Sequence, residues 1–125
     1  MATSRDTGPV KATCHCGAIV IVLAKAPSEI TQCNCSLCRS YGVIWTYVEA
    51  DGISIAVDLR TDTYAWNGRH VDFHRCSLCG CVTHWTPRDA KRSDRGINAN
   101  LLPADVVRSA RLRHLDGAGT GKYLD

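Results

Sequence analysis

Every cysteine of this 125-residue chain falls in one of three short stretches: Cys14-His15-Cys16, Cys33-Asn34-Cys35-Ser36-Leu37-Cys38 and Cys76-Ser77-Leu78-Cys79-Gly80-Cys81. Core thiols scatter along a sequence as burial demands, whereas metal ligands gather at turns, where two or three sulfurs can face one ion. Eight cysteines in three such stretches point to two thiolate zinc sites. The pattern constrains the fold strongly, because a site assembled from separate segments dictates which segments meet.

Disulfides explain the pattern less well. Cysteines one residue apart bridge to each other with difficulty but chelate readily. Residues 1–9 are polar and end in Gly8-Pro9, without the apolar stretch of a secretory signal, so a reducing cytoplasmic location is expected. No stretch has the apolar length of a membrane span. At this length the chain is one domain with a modest core, for which metal staples matter. The formal charge of +3 counts each cysteine as neutral; eight thiolates and two zinc ions lower it to −1, and seven thiolates to 0. The basic character thus largely vanishes on metallation and gives no support to nucleic-acid binding.

Hydrophobic patterning predicts a mainly β fold of small antiparallel sheets with short helical turns. Residues 1–9 read as a flexible leader, 10–115 as the folded domain and 116–125 as a flexible tail. Residues 10–13 and 18–23 predict two strands of a hairpin with Cys14 and Cys16 at its turn. Residues 30–33 predict a strand running into the central cluster, and 36–39 a single helical turn. Further strands are expected at 43–48, 53–57, 61–66, 71–74, 81–85 and 98–102, with Asn67-Gly68 marking a hairpin turn. Residues 87–96 read as an exposed, mobile loop and 103–107 as the start of a helix. The glycine-rich run 117–121 lacks the spacing and following helix of a phosphate loop and belongs to the tail.

Cys14-x-Cys16 and Cys76-x-x-Cys79 each offer two ligands from one tight turn, with Gly17 and Gly80 allowing the backbone to curl, so together they make a closed four-thiolate site. Cys33, Cys35 and Cys38 remain as a trio. Three protein ligands with an open fourth position is the arrangement of catalytic zinc, and a thiolate-rich zinc suits an incoming thiol better than water. Cys81 leaves two readings of that trio. It either supplies a fourth ligand and closes the site, or lies close by and yields to a substrate thiol. His15, His74 and His84 stand near the clusters, and Arg39 beside the trio offers a partner for a substrate carboxylate. Trp45, Trp66 and Trp85 fall on predicted strands and read as core.

The motifs Cys14-His15-Cys16-Gly17, Cys33-Asn34-Cys35-Ser36-Leu37-Cys38-Arg39 and Phe73-His74-Arg75-Cys76-Ser77-Leu78-Cys79-Gly80, in that order, resemble the glutathione-dependent formaldehyde-activating enzyme family, which also includes centromere protein V. The resemblance spans roughly residues 10–115 and implies a β-tent-like fold stapled by zinc. It implies that Cys14, Cys16, Cys76 and Cys79 hold a structural zinc. By the same resemblance Cys33, Cys35 and Cys38 hold a second zinc, where glutathione's thiol meets formaldehyde to give S-hydroxymethylglutathione. Two features depart from the family pattern: the additional Cys81, and Arg75 standing between the aromatic-histidine pair and Cys76, a local insertion that bears on strand register. The expected function is a zinc-dependent carbon–sulfur lyase or synthase acting on a glutathione-like thiol and a small aldehyde. The alternative is a non-catalytic zinc module that binds a partner.

Overall fold

The computed structural model describes residues 8–57, 61–66 and 68–125. Residues 1–7 of the expected leader and Asn67 of the expected hairpin turn lie outside the described residues.

Two sheets organise the chain. The smaller joins β1 (Val10–Thr13), β2 (Ile19–Leu23) and β5 (Ile53–Val57) in antiparallel order β1-β2-β5. The larger contains β3 (Glu29–Cys33), β4 (Trp45–Glu49), β6 (Thr61–Tyr64), β7 (Val71–Cys76), β8 (Val82–Pro87), β9 (Asp94–Asn98) and β10 (Arg111–Leu115), in the order β10-β3-β4-β9-β8-β7-β6. Two six-residue helices complete the fold, α1 (Ser36–Tyr41) and α2 (Ala104–Ser109). The protein is mainly β with antiparallel sheets, as its patterning predicts.

The β2 sequence shows how the core arises. Ile19, Ile21 and Leu23 are buried while Val20 and Val22 between them are only half-buried, the period of two that a strand imposes. Their buried face meets Ile30, Ile97, Ala99, Leu102 and Val106 in one apolar cluster. A second cluster gathers Cys33, Cys38, Val43, Trp45 and Trp85. Along β8 and β9 the two clusters draw on alternate positions: Trp85, paired with Gly96, faces the second, whereas Ile97, paired with His84, faces the first. The large sheet therefore carries one cluster on each face.

Two local expectations are corrected. The strand expected at 98–102 runs instead from Asp94 to Asn98, because the Asn98 side chain accepts a hydrogen bond from the Asn100 N–H at 3.1 Å and turns the chain into a 3-10 segment, Ala99–Leu101. The ends of the loop expected at 87–96 are accordingly strand, Pro87 in β8 and Asp94, Arg95 and Gly96 in β9, with Arg92 paired to Asp94 at 2.7 Å. One element has no counterpart among the expectations: β10, where basic and apolar residues alternate, pairs with β3 in parallel, in contrast to the antiparallel ladders elsewhere. The α2 helix between β9 and β10 lies within the crossover that a parallel partner needs.

Two other details match the sequence. β6 and β7 pair antiparallel across the expected hairpin. The register between β7 and β8 shifts between His74 and Arg75, at the local insertion before Cys76. Among the described residues no helix is long and apolar enough to cross a membrane.

Candidate metal centres

The Cys14–Cys16 and Cys76–Cys79 turns are built alike. In one, the Cys14 carbonyl accepts the Gly17 N–H at 3.0 Å; in the other, the Cys76 carbonyl accepts the Gly80 N–H at 2.9 Å. Gly17 and Gly80 have φ of 86° and 79°, the left-handed conformation that glycine adopts without steric cost. Each turn is closed by its strands, through Cys14 N–H to Ile19 carbonyl at 3.1 Å and Cys76 N–H to Cys81 carbonyl at 2.9 Å. The four sulfurs all lie within 4.8 Å of one another. The Cys14 and Cys16 sulfurs are 3.7 Å apart, and those of Cys16 and Cys76 3.6 Å apart. A tetrahedral zinc with bonds of about 2.3 Å requires sulfur–sulfur separations of about 3.8 Å, so this donor set fits zinc in both chemistry and spacing. Backbone N–H groups of Cys81 and Cys16 draw the Cys79 thiol down to about 5, favouring the thiolate that a metal needs.

The second cluster comes from one local segment. Cys33 ends β3, and the chain then enters α1 with Cys35 as N-cap, its sulfur accepting the Cys38 N–H at 3.4 Å. The Cys33 sulfur accepts the Cys35 N–H at 3.5 Å. One helical turn thus suffices to bring the three sulfurs within 4.8 Å of one another. The helix itself continues to Tyr41, beyond the single turn expected at 36–39. Burial pushes the Cys38 thiol up to about 12, against the opposing effect of the Trp45 indole, whose Nε1–H donates to the Cys38 sulfur at 3.4 Å. Cys35 is lowered; burial acts against this, but hydrogen bonds from the Cys38 backbone and from the neighbouring thiols outweigh it.

Cys81 is not part of the trio. Its sulfur neighbours Cys79 and the His15 backbone, and its side chain packs against the cluster that contains Cys14 and Cys76. The expectation that it lies close to Cys33, Cys35 and Cys38 is corrected. The bond from Cys76 N–H to the Cys81 carbonyl completes the knuckle and leaves Cys81 beside the first metal site. No fourth Cys, His, Asp or Glu ligand atom among the described residues joins the trio.

None of His15, His74 and His84 joins the trio either. His15 is exposed. His74 and His84 stack on each other, with ring centroids 4.2 Å apart and planes 6° from parallel. Thr61 and Thr86 hold the two His74 nitrogens at 2.8 and 2.9 Å, and Thr83 holds His84 Nδ1 at 2.8 Å. Burial, with His74 and Arg95 nearby, pushes His84 down to about 3, and burial also lowers His74, so the stacked pair favours the neutral form. Trp45 and Trp85 are buried as expected, and Trp66 is half-buried.

The trio instead has a neighbour from the far end of the chain. Asn34 Nδ2 donates to Asp116 Oδ1 at 2.9 Å, and Asn34 Oδ1 accepts the Ala118 N–H at 2.9 Å. Between them Gly117 rests against the Cys33 sulfur so closely that a Cβ there would strike it. The segment 116–125, for which sequence leads one to expect a flexible tail, continues through a bridge between Leu115 and Tyr123. The Tyr123 hydroxyl meets Thr31 Oγ1 at 2.9 Å. Neither Trp45 nor Gly117 stands out in sequence as a neighbour of the trio; the only local signal is that Trp45 lies seven residues after Cys38 on a β-prone run.

A mainly β protein with one four-cysteine and one three-cysteine cluster has two donor sets that could hold metal ions. The sequence matches the family described as glutathione-dependent formaldehyde-activating enzyme over residues 9–107, and the chain belongs to that family. The fold is also similar to a crystal structure of a Rhodobacter sphaeroides protein solved as a structural genomics target. That likeness has a TM-score of 0.65 at 25% sequence identity and covers 82% of this chain and 98% of the other.

Proposed function

We propose that this protein is a zinc-dependent carbon–sulfur lyase or synthase that joins a glutathione-like thiol to a small aldehyde and reverses that addition. The supporting observation is the asymmetry of the clusters: four thiolates in one, three in the other, with Cys81 on the side of the four. In this reading Cys14, Cys16, Cys76 and Cys79 hold a structural zinc. Cys33, Cys35 and Cys38 hold a second zinc with one position left for substrate. Zinc bound there would keep an incoming thiol deprotonated at neutral pH.

The chain's residues then act by position. Cys33, Cys35 and Cys38 fix the site at the end of β3, and the buried Cys33 and Cys38 restrict water on one side. The substrate sulfur forms a bond to the carbonyl carbon, the carbonyl π pair moves to oxygen, and that oxygen takes up a proton equivalent to the one lost by the thiol. The product of glutathione and formaldehyde is S-hydroxymethylglutathione, and the reverse sequence releases the aldehyde. One observation favours the alternative of a non-catalytic module: Gly117 rests on Cys33 and narrows access to the trio.

Metal analysis with a glutathione titration separates the two. The enzyme reading expects two zinc ions per chain, saturable glutathione binding that disappears in Cys35→Ser, and formation of S-hydroxymethylglutathione seen by NMR. Tightly held zinc with no thiol affinity would leave the module reading in its place.

A further inference from the structure

Two cavities open beside the trio. One, of 410 Å³, is lined by Cys33, Asn34, His114, Leu115 and Leu124, among others. The second, of 470 Å³, is lined by Cys33, Cys38, Val43 and Asn100, among others. Both lie in the range that holds small ligands. They share three residues, Gln32, Cys33 and Arg39. A thiol placed at Cys33 therefore has Arg39 beside it whichever way its remainder extends.

Two other cations near this site are engaged. His114 Nδ1 is 2.7 Å from Asp125 Oδ2. Arg113 lies 3.6 Å from Glu29, donates to the Asp125 carbonyl at 2.9 Å and covers the Tyr123 ring at 3.9 Å. Arg39 is exposed and has no side-chain partner among the described residues. Electrostatics gives it a task. Three thiolates around a divalent zinc carry a net charge of about −1, and an incoming thiolate adds another, so an anionic substrate is repelled unless a fixed cation stands nearby. Guanidinium also matches carboxylate through two parallel hydrogen bonds.

We infer that Arg39 is the specificity-determining residue of the trio site, binding a carboxylate of the thiol substrate and so selecting a carboxylate-bearing thiol peptide over a neutral thiol. This rests on the proposed thiol-binding role of Cys33, Cys35 and Cys38. Its test uses the zinc-loaded protein titrated calorimetrically with glutathione, glutathione diethyl ester and 2-mercaptoethanol, in the parent and in Arg39→Met and Arg39→Lys. Arg39 is exposed on the last turn of α1, so both variants should fold and keep two zinc ions. Arg39→Met is expected to weaken glutathione binding by roughly tenfold or more, the worth of a charge-assisted contact, while the ester and 2-mercaptoethanol change by less than about twofold. Arg39→Lys should fall between parent and Arg39→Met.

Unchanged glutathione affinity in Arg39→Met, or an equal loss for all three thiols, overturns the assignment while leaving thiol binding at the trio standing. Failure of the parent to bind any of the three overturns both.

Discussion

The two cysteine clusters use the same chemistry to opposite structural ends. The four-cysteine cluster brings together turns about 60 residues apart, as in the Cys16–Cys76 contact, so a metal held there would tie the small sheet to β7 and β8 of the large one. The trio spans six residues of one strand end and one helix, which would sit together without any metal. A metal that closes a long loop contributes folding energy, whereas one held by a preformed local turn contributes little and can exchange. The difference teaches that the number of thiolates matters less than the sequence distance between them.

The largest expected effect follows from breaking the long-range cluster. Binding of a structural zinc is worth about 10 kcal/mol or more, comparable to the entire stability of a domain. Cys14→Ser and Cys79→Ser should each leave the chain unfolded or aggregated, with circular dichroism losing its cooperative melt. A well-folded, zinc-replete Cys14→Ser protein would show that this cluster does not staple the sheets.

The same change in the trio should act differently. The Cys35 sulfur caps α1, and serine is itself a favoured N-cap, so Cys35→Ser preserves the local fold while removing a thiolate. We expect the second zinc and glutathione binding to be lost, with a melting temperature lowered by only a few degrees. If Cys35→Ser loses as much melting temperature as Cys14→Ser, the contrast between the clusters collapses.

A smaller test concerns Gly117. A methyl group added there points at the Cys33 sulfur, so either the sulfur or the 116–118 segment must move. Overpacking of this kind costs about 1–3 kcal/mol. Gly117→Ala should therefore melt several degrees lower, and it should release the trio's zinc to a chelator faster while the other zinc stays put. Equal release from both sites, or no change at either, would mean that this segment does not rest on Cys33 in solution.

Much of this arrangement was readable in the sequence because short motifs carry their own geometry. Cys14-x-Cys16 and Cys76-x-x-Cys79, each followed by glycine, announce paired cysteines whose four sulfurs the fold brings together; β2 announces a buried face by alternation; the extra residue before Cys76 appears as a register shift. What escaped depends on contacts between distant residues. Nothing within 108–114 says that β10 will lie parallel to β3, since that pairing is decided across the sheet. The run 117–121 looks like a loose tail because glycines signal turns, yet one of them is needed for its close approach to Cys33. Trp45 reads as core and is core, but its N–H is aimed at the Cys38 sulfur, a role no local pattern encodes.

The smallest expected effect sharpens the comparison most directly. Cys81 stands two residues past Cys79, and its carbonyl accepts the Cys76 N–H at 2.9 Å. That bond belongs to the backbone and survives substitution of the side chain. Its sulfur neighbours the four-thiolate cluster, which is already complete, and not the trio. Cys81→Ser should accordingly keep both zinc ions, melt within a few degrees of the parent and bind glutathione with unchanged affinity. A serine hydroxyl placed against Cys79 and the His15 backbone can still hydrogen-bond, so the loss is one half-buried thiol's packing, on the order of 1 kcal/mol or less. Loss of the trio's zinc alone in Cys81→Ser would show instead that Cys81 reaches across to close the second site, and the three-against-four asymmetry would be gone.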